Sequence, residues 1–146
     1  MNALLRILFL IPIGYIFALL VATSLIALVT WLRAYGPVAD DPAALGMTSF
    51  IVLADWFILL VLIGQAAALP ALATIVLAEV LSLRHVLYFC GAGLAVAFAV
   101  TRLIDPADAI SAPTEPAIIA AAGLAGGLAY WLVAGRGSGL REPLAR

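Results

Sequence analysis

Residues 47–83 read MTSFIVLADWFILLVLIGQAAALPALATIVLAEVLSL, and only two of these 37 residues, Asp55 and Glu79, carry an ionisable side chain. A run this apolar has to satisfy its own backbone hydrogen bonds, which makes it a helix. It lacks the apolar–polar alternation that a membrane barrel strand shows over roughly ten residues. As one helix it would measure about 55 Å, against a hydrocarbon thickness of about 30 Å. Tilt alone does not absorb that excess. Pro70 removes one backbone donor and frees the carbonyl of Ala66, so the sequence predicts a bend near Gly64–Pro70. The predicted element is a long, bent helix whose membrane part is roughly Leu62–Leu83, with TSFIVLADWFILL at or beyond the opposite surface.

The rest of the chain agrees with that setting. Of 146 residues, 66% are hydrophobic and 10% charged, with a mean hydropathy of +1.24. Soluble domains average about 25% charged residues. A core of this size does not hide so much apolar surface, so lipid has to act as solvent. Three further apolar runs span 7–32, 86–104 and 117–134. The first is longer than the roughly 7–15 residues of a signal-peptide core, and is read as a retained helix. No change of composition divides the chain. The expected fold is therefore an all-α membrane bundle of four transmembrane helices in one domain, 1–146, ending in a loose cytoplasmic tail, 135–146. A net charge of −1 gives no electrostatic case for nucleic acid. Cys90 is the only cysteine and forms no internal disulfide.

Asp41 before Pro42 is a good N-cap and first-position pair. Asp105–Pro106 repeats the signal, and Thr114 is placed to cap the fourth helix. Only Arg84 and His85 separate the second and third runs, which demands a tight reversal. Arginines set the orientation, since there is no lysine. With four spans, Arg6, Arg84, Arg136, Arg141 and Arg146 share one side, and Arg33 and Arg102 the other. The positive-inside rule then puts both termini in the cytoplasm. Trp31, Tyr35 and Trp56 mark the outer interface, and Tyr88, Tyr130 and Trp131 the inner one.

Polar groups within the apolar runs are the candidate sites. Gln65 and Glu79 are two heptads apart and face nearly the same way, with Leu72 between them; Asp55 points elsewhere. Glu79 is expected to pair with Arg6 or Arg136, because Arg84 is rotated about 140° from it on the same helix. Asp55 is expected to pair with Arg102 or Arg33. His85 reads as a surface group beside Arg84, and a lone histidine excludes bis-histidine haem ligation within the chain. Small residues at four-residue spacing mark close helix approaches: Gly123, Gly127, Trp131 and Gly135; Gly14, Ala18 and Ala22; Gly91, Ala95 and Ala99. GAGLAV lacks the last glycine of a dinucleotide loop, and GRGSGLR is not a phosphate loop. No residues have metal-ligand spacing, and Ser24 has no neighbouring base. No cofactor is expected.

Size and helix number resemble the small multidrug-resistance transporters, but their essential glutamate lies in the first helix, which here has no acidic residue. PALATIVLAEV and GGLAYWLVAGR resemble stretches of small, uncharacterised four-helix bacterial inner-membrane proteins, a likeness that brings no function with it. Asp55, Gln65 and Glu79 are too few and too dispersed to line a pore in one chain. The expected function is therefore non-enzymatic: an accessory, scaffold or assembly partner in the lipid bilayer, self-associating or joined to another membrane protein. The alternative is a small oligomeric transporter or channel using Glu79 as a coupling carboxylate.

Overall fold

A computed structural model describes residues 9–36, 39–103 and 115–137. Four helices follow in order: α1 Ile11–Tyr35, α2 Pro42–Val80, α3 Val86–Leu103 and α4 Pro116–Val133, the last ending in a 3-10 turn, Gly135–Gly137. No strand occurs among the described residues. α1, α2 and α4 are long and apolar enough to cross a membrane, and α3 adds a shorter apolar stretch, Val86–Arg102.

α2 begins five residues before the expected start. Asp41 is extended, and its Oδ1 accepts from the amides of Ala43 at 2.9 Å and Ala44 at 3.3 Å. Pro42 fills the first helical position, where a missing N–H costs nothing. That cap thus starts the long helix itself. Its 39 residues run unbroken through Pro70, about 58 Å in all. The C-terminus falls at Val80 rather than Leu83 because the chain closes a Schellman motif there. The Leu83 amide donates to Ala78 O at 2.9 Å, the Ser82 amide to Glu79 O at 3.3 Å, and Ser82 stands at φ 52°. Leu83 then packs against the cluster of Ile75 and Ala78.

All sequential neighbours run antiparallel, and α4 is the element against which α1 and α3 both pack. A Cβ built on Gly127 would collide with the Phe89 carbonyl of α3, and one on Gly93 of α3 with the Gly123 carbonyl. On another face of α4, a Cβ on Gly126 would lie 3.2 Å from the Ala18 carbonyl of α1. Nearer the other end, a Cβ on Gly14 would lie 2.9 Å from that of Ala134. Gly123 and Gly127, like Gly14, Ala18 and Ala22, therefore lie where their spacing predicts.

The third helix needs a correction. Gly91 has open space around it and, with Ala95, is exposed; Gly93 and Ala97 are the residues turned to α4. Both pairs have the same spacing, and an alanine-rich helix does not distinguish them. Trp131 also differs from its glycine neighbours. It makes no backbone approach; its Nε1 donates to the Arg84 carbonyl at 2.9 Å, and the Arg136 guanidinium sits 4.7 Å over its ring. Thr114 and the Asp105–Pro106 signal lie outside the described residues. Glu115 takes the N-cap position of α4 without capping it.

Two stability outcomes follow. Gly127→Leu forces α3 off α4 and is expected to lower stability by about 1–3 kcal/mol in reversible detergent unfolding. Ser82→Gly relieves the left-handed conformation and is expected to raise it by about 1 kcal/mol.

Candidate functional site

Side-chain hydrogen bonds hold α1 against α2. Trp31 Nε1 donates to Ser49 Oγ at 3.3 Å, Trp56 Nε1 to Thr23 Oγ1 at 3.2 Å, and the Tyr15 hydroxyl to the Gly64 carbonyl at 2.6 Å. Thr23 is fully buried, and its own hydroxyl donates to Leu19 O at 2.8 Å. Backbone contact through glycine holds α3 against α4. α2 and α3 are joined by the turn at 81–85 and by the Tyr88 hydroxyl, which donates to the Thr74 carbonyl at 2.8 Å. Away from that turn, α2 and α3 form the two walls of a cleft of about 500 Å³ floored by α1 and α4.

The cleft is apolar. Leu59, Ile63 and Ala67 line it on α2, and Val96 and Val100 on α3. The polar atoms it contains are largely engaged: the hydroxyl of Tyr15 donates to Gly64, that of Thr74 to Ala71 and that of Thr101 to Phe98. Arg102, in the last turn of α3, is the only charged side chain among the described residues that line it. The cleft is open to the surroundings along one side, and its walls present mostly apolar side chains there.

Of the polar residues singled out in the sequence, Arg102 lines this cleft and the others do not converge on it. Asp55 and Glu79 are half-buried and line no part of it. Gln65 and Leu72 are exposed, so the face they share turns away from the bundle. Arg84 and His85 are exposed in the α2–α3 turn, where the Arg84 carbonyl accepts from Trp131 and the His85 carbonyl from the Tyr88 amide. Arg6, one expected partner of Glu79, lies outside the described residues. Arg33 does not serve Asp55. Its two terminal nitrogens contact both carboxylate oxygens of Glu115, at 3.0 and 2.8 Å. That pair ties the end of α1 to the start of α4, and its hydrogen bonds and charge hold the Glu115 carboxyl below its ordinary range. It is the ion pair sequence reasoning missed, because the partners are 82 residues apart. The hydroxyl and indole anchors Tyr15, Thr23, Trp56 and Tyr88 were missed as well. Their signal was present in the sequence as aromatic and hydroxyl side chains inside apolar runs.

Among the described residues, no group of three or more His, Cys, Asp or Glu side chains is placed to hold a metal ion. Comparison of the chain with protein-family models, curated proteins and solved structures gives no match.

The Arg33–Glu115 pair gives a pH dependence of defined sign. A lowered folded pKa means that the contact is fully present above the ordinary glutamate value near 4.5 and is lost as pH falls through the lowered one. Spin labels at the end of α1 and the start of α4, in nanodiscs, are expected to separate as pH falls below the ordinary glutamate range. Glu115→Gln abolishes that titration, and its survival in this variant would assign it to another group.

Proposed function

We propose that the chain is a non-enzymatic integral protein of a bacterial inner membrane. All four helices cross, both termini face the cytoplasm, and the protein acts as an accessory or assembly partner that self-associates. Support for a crossing by α3 comes from its glycine contact with α4, which crosses in the opposite sense. The Trp131–Arg84 hydrogen bond supports a shared end for the α2–α3 turn and the end of α4, where His85 and Arg136 also lie.

The observation that carries the assembly reading is Gln65. Ile58, Val61, Gln65, Leu69, Leu72 and Val76 form one exposed stripe along α2, with Leu69 79% exposed. A primary amide in the middle of a hydrocarbon-facing stripe loses the partners that water would supply. Transfer of such a group to a medium without hydrogen bonds costs about 4–8 kcal/mol. The same amide on a second copy is self-complementary, with a donor and an acceptor on each side. Interhelical hydrogen bonds of this kind contribute about 0.6 kcal/mol on average in membranes, and up to about 1.7. The transporter alternative has less behind it, since neither Glu79 nor Asp55 lines the cleft.

Energy transfer between donor- and acceptor-labelled copies in vesicles tests the reading. Wild type is expected to associate, and Gln65→Leu to weaken association roughly threefold to twentyfold. A monomeric wild type that conducts protons or cations, with the current lost in Glu79→Gln, would replace this reading with the transporter.

A further inference from the structure

The cleft between α2 and α3 lies away from the outward stripe that carries Gln65, and its shape and chemistry select an occupant independently of self-association. Water is unsuited to the cleft, because a site lined largely by Leu, Ile, Val and Ala offers it too few hydrogen bonds. What the cleft matches is a flexible hydrocarbon chain. Its α2 wall runs from Leu59 to Ile75, about 24 Å. That is longer than one leaflet's half of a hydrocarbon core about 30 Å thick, so an acyl chain lies along it without reaching the far end.

The charged residue sets the other half of the ligand. Arg102 and Pro116 line the same end of the cleft, at the membrane surface where α3 finishes and α4 starts. Glu115, the neighbour of Pro116, has both oxygens engaged by Arg33. Arg102 is exposed, and among the described residues no carboxylate pairs with it. A guanidinium at this level matches a phosphate, which it can grip with two parallel hydrogen bonds. We infer that the cleft is a binding site for one glycerophospholipid, whose acyl chain fills the space between α2 and α3 and whose phosphate is held by Arg102.

Native mass spectrometry of the full chain in mild detergent tests this with palmitoyl-oleoyl phosphatidylglycerol as the probe and the matching phosphate-free diacylglycerol as its control. One phosphatidylglycerol is expected to remain bound per chain at activation energies that strip surface lipid. Diacylglycerol is expected to be retained about fivefold less, and Arg102→Gln to bring phosphatidylglycerol down to that same level. Val96→Phe, which fills the cleft from α3, is expected to abolish retention of both. Circular dichroism confirms that each variant is helical, and Arg102→Gln, an exposed change, tests the site if Val96→Phe fails to fold. Retention unchanged in Val96→Phe would mean that only surface lipid is bound. Equal retention of the two probes, or phosphatidylglycerol retention unchanged in Arg102→Gln, would remove the phosphate contact. Either result overturns the inference.

Discussion

Three glycines on α4 decide how the other helices stand. In lipid the hydrophobic effect gives no drive for helices to associate, so close van der Waals contact has to supply it. Gly123 and Gly127 let the backbone of α3 reach that of α4, and Gly126 admits α1 on a neighbouring face. α2 has no such contact with α4 and is held at one remove, by hydrogen bonds to α1 and by the turn to α3. With two of the contacts at backbone distance and the α2–α3 contact hinged at one end, the ring of helices does not close. The cleft is what remains between a wall fixed by α1 and a wall fixed by α4.

Within that frame, directional bonds do what apolar packing cannot. Apolar faces made of Ala, Leu, Ile and Val slide past one another at little cost, whereas a hydroxyl or indole N–H in hydrocarbon has to find one acceptor. Tyr15, Tyr88 and Trp131 all donate to backbone carbonyls on other elements, and Trp56 to a threonine that is itself bonded to its own helix. Each eight-residue step along α1, from Tyr15 to Thr23 to Trp31, meets a step of seven or eight residues back along α2, from Gly64 to Trp56 to Ser49. Three bonds at that interval fix the register of the α1–α2 hairpin. The Gly64 carbonyl that receives Tyr15 lies six residues before Pro70, so the stretch expected to bend is tied to its neighbour by a strong acceptor.

The features legible in the sequence were those carried by one residue type or one short interval. Runs of apolar residues gave the all-α class and the number of helices. Asp41–Pro42 gave the start of α2, though the cap and the apolar run had to be joined into a single element. The glycine spacing of α4 and the Gly14, Ala18, Ala22 face of α1 were readable because the four-residue interval there falls on a face that a neighbouring helix meets. α3 defeated the same reasoning because small residues occupy more than one of its faces, and only the position of α4 selects Gly93 over Gly91. Ser82 as a left-handed cap was hidden because serine carries no conformational signature of the kind glycine does. The Arg33–Glu115 pair and the cleft depend on which helix ends meet and how far two helices separate, and no local pattern encodes either.

The same geometry bears on where polar groups can work in this molecule. An aqueous path through a single bundle would have to run along a surface shared by all four helices. The α1–α4 and α3–α4 surfaces are closed at backbone contact, and the surface left open, between α2 and α3, presents hydrocarbon along its length with one guanidinium at its end. The polar side chains of α2 lie elsewhere: Gln65 faces out, and Asp55 and Glu79 border no part of the opening. A chain arranged in this way carries its uncommon polar chemistry outside that opening, with Arg102 at its end. The scarcity of charge that marks the apolar runs in the sequence thus also limits, through the placement of the few polar groups that remain, where polar chemistry can act in the folded chain.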